Sequence, residues 1–184
     1  SFDGSSYSVF QNAQGLSKFK GTELSKMLSG KMVSVSPFID DLYNGISGNS
    51  SLKDLETAFQ LLYLECMEPR FDQEEFDNAI AQIKAVLPNL VNTPNFAFQK
   101  RFNKVLYNDN PRNEVLSIEK ANLQTIEKNY RRLFADAAGA TMVIVGDVSL
   151  DTLKPLVEKY IGSLPKGKKA AKWADVQPQL VKGK

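Results

Sequence analysis

Acidic side chains are the place to look for chemistry in this sequence, because the other usual agents are missing. Its 184 residues contain no histidine and one cysteine, Cys66. Histidine titrates near neutral pH, which makes it the commonest general base and the commonest nitrogen ligand for zinc. Without it neither a Ser-His-Asp nor a Cys-His nucleophile can be assembled, and one thiolate cannot build a cage around zinc. What remains is carboxylate chemistry, from the Asp40-Asp41 pair, the cluster Asp72, Glu74, Glu75 and Asp77, and Asp147.

Each of these acids also has a structural explanation. Asp40-Asp41 falls where a turn is expected, and adjacent turn acids usually bond only to backbone. The second cluster lies in the first turn of an expected helix, where the macrodipole favours negative charge. Asp147 follows an apolar run and precedes a helix cap, a place where open α/β sheets bind ligands, but no glycine-rich phosphate loop follows it. Lys18, Lys20 and Arg70 read as solvated cations beside loops. The sequence therefore predicts a chain that is not a catalyst by itself, with no catalytic and no metal-ligating residue and with its substrate-binding residues unassigned.

The elements that position these residues can be read from periodicity. Leu52, Leu55, Phe59, Leu62, Tyr63 and Cys66 recur at helical spacing, with Lys53, Asp54 and Glu56 on the other side. Ser50 or Ser51 caps that helix, and Pro69 stops it after Glu68. Asp72 with Glu75 reads as a capping box opening a second helix, whose stripe is Phe76, Ala79, Ile80, Ile83, Val86 and Leu87. Thr93-Pro94 opens a third, with Phe96, Phe98 and Phe102 expected in the core. Tyr107 to Arg112 is turn chemistry. Leu123, Ile126, Tyr130, Leu133 and Phe134 mark a fourth helix within residues 118–135. Ser149 caps another, carrying Leu153, Leu156, Val157, Tyr160 and Ile161, with Pro155 tolerated only near its start.

Strand signals are fewer. Met32 to Ile39 and Leu42 to Ser47, the latter ending before Gly48-Asn49, should pair across the Asp40-Asp41 turn. Ala140 to Val148, an apolar run bounded by Gly139 and Gly146-Asp147, should be a buried central strand. Near the N-terminus, Asp3 caps a helix with Tyr7, Phe10 and Ala13 on its face, and Glu23 to Leu28 forms a short helix ending at Gly30. Strands and helices do not alternate regularly, so the expected class is α+β, an antiparallel or mixed sheet covered by several helices. That is more helix than three strands can use, which places part of the sheet outside this chain.

Composition agrees with an ordinary folded chain, at 42% apolar and 24% charged residues. A net charge of +2 gives no electrostatic case for nucleic acid. No run reaches the ~20 apolar residues of a membrane-spanning helix. Lys166, Lys168, Lys169 and Lys172 form a basic run beside Pro165 and Gly167, read as a linker. Trp173 follows, where it can dock the tail on the domain or on a neighbour. The organisation expected is one domain over residues 1–165 and a basic tail over 166–184.

Two stretches resemble one family. Glu23 to Lys31, followed by Gly45-Ile46-Ser47-Gly48-Asn49-Ser50-Ser51, Lys53-Asp54-Leu55-Glu56 and Pro69-Arg70-Phe71-Asp72, resembles the third domain of full-length bacterial pitrilysin-type (M16) zinc peptidases. Tyr130 to Leu164-Pro165, through Met142-Val143-Ile144-Val145-Gly146-Asp147-Val148, looks like the closing strand and helix shared by that family. The resemblance implies the LuxS/mitochondrial-processing-peptidase-like metallohydrolase fold, lacking its first strands here. Catalytic domains of the family carry His-x-x-Glu-His on one helix and a distant glutamate as third zinc ligand. The helix expected over residues 3–14 takes that place, and Ser5, Ser6, Tyr7 and Val9 supply neither histidine, so no family site residue carries over. Large members have two halves of two similar domains closing on a chamber, and the second half lacks the metal.

What the resemblance implies is a non-catalytic domain of a zinc metalloendopeptidase, forming part of the substrate chamber and able to bind unfolded peptide at an exposed sheet edge. The alternative is an assembly domain that never touches substrate. Zinc is then expected only in the catalytic half, which is the partner, on the same polypeptide or as a separate subunit. A cell envelope or periplasmic location fits this resemblance, while the sequence itself carries no compartment signal.

Overall fold

The structure, a computed structural model, describes residues 11, 14–40, 43–107, 118 and 121–167. The first strand, β1 (Gly15–Leu16), leads into helix α1 (Gly21–Met27). The Glu23 carboxylate accepts a hydrogen bond from the Lys20 amide at 2.9 Å, satisfying an orphan donor at the helix start. The chain leaves α1 through Gly30, whose φ of 85° lies in the left-handed region that glycine enters without penalty.

Strands β2 (Val33–Ile39) and β3 (Asn44–Ser50) form an antiparallel pair running from Val33 opposite Ser50 to Ile39 opposite Asn44. The expected pairing is present, but β3 begins later and does not stop at Gly48-Asn49. Gly48 continues the strand because the space is tight there: a Cβ would lie 2.6 Å from the Ser34 carbonyl oxygen. Two hydrogen bonds fix the ladder's phase, Asp40 N–H to Tyr43 O at 2.9 Å and Ser51 N–H to Met32 O at 2.8 Å. Even-numbered residues of β2 therefore bond to β3, and odd-numbered ones turn their backbone groups to the opposite edge. Pro37 is odd, so its missing N–H removes nothing from the ladder.

A 3-10 turn (Leu52–Asp54) opens helix α2 (Leu55–Met67), with the Ser51 hydroxyl accepting from the Asp54 amide at 3.3 Å. Asp54 departs from the solvent-facing side expected for it. It is buried and accepts from the Met32 amide and the Ser51 hydroxyl, both at 2.9 Å, tying the turn to the start of β2. After α2, β4 (Pro69–Arg70) pairs antiparallel with β1.

Helix α3 (Gln73–Val91) is capped by Asp72, whose Oδ1 accepts from the amides of Glu74 and Glu75 at 3.1 and 3.3 Å. Glu75 does not close a capping box. It is buried and reaches across to α1, accepting from the Gly21 amide at 3.1 Å and the Thr22 hydroxyl at 3.4 Å. Helix α4 (Pro94–Tyr107) starts as expected, with the Thr93 hydroxyl accepting from the Phe96 amide at 3.2 Å. Its phenylalanines are not in the core: Phe98 is 61% exposed and stacks on Phe102 at 5.8 Å. Val86 and Leu90 of α3 and Val105 of α4 are exposed as well.

Helix α5 (Leu123–Phe134) opens with the Asn122 side chain accepting from the Thr125 amide at 2.9 Å. Its face of Leu123, Ile126, Tyr130 and Phe134 is buried with Phe76, and Ile39, Ile46, Phe71 and Ile80 pack around that cluster. The period read from the sequence thus identifies the core-facing side of α5.

The expected central strand over Ala140 to Val148 is the clearest correction. Residues 140–145 form no strand, and Val143 and Val145 are 78% and 92% exposed. A strand needs a neighbour about 5 Å away. Among the described residues none lies alongside, and a cleft of about 980 Å³ separates this segment from β3. Helix α6 (Leu150–Leu156) follows, with Ser149 Oγ accepting from the Thr152 amide at 3.2 Å. Pro155 sits near its end rather than its start, and the helix continues as a π turn (Val157–Ile161) closed by Gly162 N–H to Val157 O at 2.9 Å. Tyr160 is buried there against Phe59 and Tyr63 of α2.

The architecture is α+β, with six helices and two small antiparallel sheets among the described residues. Most of the helix expected over residues 3–14, Asp41, Leu42, Asn108 to Arg112, Lys168, Lys169, Lys172 and Trp173 lie outside the described residues.

Candidate functional site

The acids singled out in the sequence are not brought together. Asp40 follows β2, and Asp77 accepts from the Gln73 side chain at 2.8 Å on the exposed face of α3. Asp72 and Glu74 instead meet two of the three cations expected to be solvated. Lys20 Nζ lies 2.7 Å from Glu74 and 3.9 Å from Asp72, and Arg70 donates to Asp72 at 2.9 Å. The Arg70 hydrogen bond, then the Glu75 amide, holds the Asp72 carboxyl below the usual carboxylate range, and the Glu74 hydrogen bond raises Lys20. This ionic group fastens the entry to α1 and the end of β4 to the start of α3. Lys18 lies 5.3 Å from the ring centre of Phe19. Asp147 is exposed on the wall of the 980 Å³ cleft, with β3 on the other side.

A site the sequence reading did not single out is built around Glu65 of α2. Only 6% of it is exposed. Tyr130, fully buried on α5, donates its hydroxyl to Glu65 Oε2 at 2.7 Å and contacts the Glu65 carbonyl oxygen at 3.0 Å. Gln14, also buried, donates its amide to the same Oε2 at 2.9 Å. Burial pushes the Glu65 carboxyl up to about 7, against the pull of these two donors. The next residue, Cys66, has its thiol raised to about 11, by burial first and by Glu65 second. The sequence did hold a signal: Glu65 is the one acid in the run Leu61-Leu62-Tyr63-Leu64-Glu65-Cys66-Met67.

Glu65 lies at the base of a second cleft, of about 450 Å³, between α1 and β2. Leu24 and Leu28 of α1, Val33 and Val35 of β2, and Leu16 and Leu61 supply most of its walls. Beside it runs the outer edge of β2. Pro37 there has its carbonyl oxygen taken by the Gln11 side-chain amide. For Val33 and Val35 there is no such partner among the described residues.

The residues present do not fit a zinc ion. The sequence has no histidine, and among the described residues no three of the His, Cys, Asp and Glu side chains stand close enough to hold a metal. No helix of the described residues is long and apolar enough to cross a membrane.

Comparison with known proteins points the same way. Residues 120–184 match the family described as the Peptidase M16 inactive domain. A search of curated protein sequences finds no match. Among solved structures, a mutant of the ferredoxin protease FusC in complex with Arabidopsis ferredoxin superposes with a TM-score of 0.74 at 17% identity, over 97% of this chain and 20% of that one. The periplasmic protease PqqL from Escherichia coli gives 0.72 at 20% identity, over 97% of this chain and 19% of that one. A protease from Helicobacter pylori gives 0.69 at 16% identity, over 98% and 46%. The chain therefore spans about a fifth of the length of two of these proteins and under half of the third. Its fold is similar to that of these proteases, and residues 120–184 match the family described as the Peptidase M16 inactive domain.

Proposed function

We propose that this chain is a non-catalytic domain of a larger zinc-dependent metalloendopeptidase, over residues 1–165 with a basic tail at 166–184, and that it forms part of the wall of the substrate chamber and binds unfolded peptide. The observation that supports this most directly is the edge of β2, where among the described residues the outward backbone groups of Val33 and Val35 have no partner, beside a cleft lined largely by leucine and valine. An open edge offers hydrogen bonds to any extended backbone, which suits a surface that takes many sequences in unfolded form. The FusC structure, in which a protease of this fold is in complex with ferredoxin, adds weight to a role in contact with substrate. Zinc belongs to the catalytic half, which is the partner of this chain.

A second reading, an assembly domain that never meets substrate, is favoured by the apolar side chains exposed on α3 and α4, with Val86 at 58%, Phe98 at 61% and Val105 at 54%. Such a face suits permanent packing against another domain. The two readings separate when the purified chain is added to a zinc-loaded catalytic half and kcat/KM is measured on an unfolded peptide. The chamber reading predicts a rise in kcat/KM with the chain alone inactive, since added binding surface orients substrate without adding a catalytic group. Stable association with no change in rate would leave only the assembly role.

A further inference from the structure

The cleft beside β2 has a chemistry more particular than an open edge requires. Leucines and valines line much of it beside Ser25, Ser29 and Ser34, and its one carboxylate, that of Glu65, is more than nine-tenths buried. Both donors that reach Glu65, Tyr130 and Gln14, go to the same oxygen, Oε2. Oε1 accepts no hydrogen bond among the described residues, yet it is not sealed off as a buried unpartnered atom. Glu65 is among the residues that line the cleft. A buried carboxylate oxygen without a donor is costly, and a ligand that supplies the donor recovers that cost on binding.

We infer that β2 binds an extended peptide along Val33–Val35 and that the cleft beneath takes one lysine side chain of that peptide, its ammonium on Glu65 Oε1. Lysine fits on three counts. Its four methylenes can lie along the leucines and valines of the lining, and its ammonium is a compact charge suited to a single acceptor. Arginine presents a planar fork that is best satisfied by two oxygens, and here Oε2 is already engaged. The neighbouring backbone supplies the rest: Val33 and Val35 each present a carbonyl and an amide to the outer edge, the pattern a guest strand needs. The guest strand is short, because at Pro37 the edge has no amide and its carbonyl is held by Gln11.

This inference rests on the peptide-binding reading above and names the side chain that reading leaves open. The test uses the full 184-residue chain and fluorescein-labelled nonapeptides of alternating serine and threonine, identical except for lysine, norleucine, arginine or glutamate at the centre. Binding is read by fluorescence polarisation. The lysine peptide should bind about tenfold tighter than the norleucine peptide, which keeps the stem and lacks the charge. Glu65→Gln should remove that difference. Val35→Pro removes an outward amide that the ladder does not use and should abolish binding of every peptide. N-methylation of alternate peptide amides should do the same without altering the protein, which covers the case in which Val35→Pro fails to fold. Lysine binding no better than norleucine, or no better than arginine, overturns the lysine site while edge binding survives. No peptide binding at all, or binding indifferent to N-methylation, overturns the edge reading itself.

Discussion

Glu65 shows how one residue's surroundings set the sign of a pH dependence. Its carboxyl sits at about 7 in the folded chain, above the 4.5 of an ordinary glutamate. The folded state therefore holds this proton more tightly than the unfolded chain. Its contribution to stability is complete below about pH 4.5 and is lost as pH rises through 7, by up to about 3 kcal/mol. Asp54 and Asp72 act in the opposite sense. Backbone and hydroxyl donors hold Asp54 low, and Arg70 with the Glu75 amide holds Asp72 low, so both lose stabilisation as pH falls through the acid range. Urea denaturation between about pH 5 and pH 8 should show stability declining in the wild-type chain and a flatter profile in Glu65→Gln. Equal slopes in the two proteins would sink this account. Cys66 follows from the same burial: with its thiol near 11, it should react with a disulfide reagent at about pH 8 roughly a hundredfold slower in the native chain than in urea.

At the scale of elements, what was legible in the sequence was what is decided locally. Ser51, Asp72, Thr93 and Ser149 each bond the amides that follow them, and the capped helices begin where those residues predict. The valines of Met32 to Ile39 and the alternation of Leu42 to Ser47 likewise pointed to the β2–β3 pair. The Glu65 site was not legible, because its members come from distant positions: Gln14 is 51 residues away and Tyr130 is 65. Nor could composition show that Glu75 serves α1 rather than its own helix. The run from Met142 to Val145 failed as a strand for a related reason, since apolar β-branched residues state a preference but cannot supply a neighbour. In this chain alone, Val143→Ser and Val145→Ser should each change stability by no more than ~0.5 kcal/mol, as exposed sites do. Losses of about 2 kcal/mol or more, read from urea melts, would mean that the segment is packed after all.

For the whole molecule, the unevenness of burial is informative. One side is a filled core centred on Ile126 and Tyr130, tied by hydrogen bonds that cross the length of the chain. Elsewhere Val143, Val145, Phe98 and Val105 are exposed to solvent. Scattered exposed apolar residues mean little, but groups of them along one segment and one helix pair mark surfaces that other protein covers. If the catalytic half covers them, adding it at about a hundred times its dissociation constant should stabilise the chain by about 2.7 kcal/mol, seen as a higher melting temperature. An unchanged melting temperature at saturation would separate those surfaces from that partner.

Pro37 bears on a hazard common to chains with open strands. A free edge that accepts a guest also invites a second copy of the same chain, and repeated pairing of that kind is how fibrils grow. Because Pro37 occupies an outward position, the edge of β2 lacks one amide in mid-strand while the pair with β3 stays whole. A long strand cannot lie along it in continuous register. The same residue that shortens the guest thus caps polymerisation, and replacing it with valine would lengthen the edge for substrate and aggregate alike.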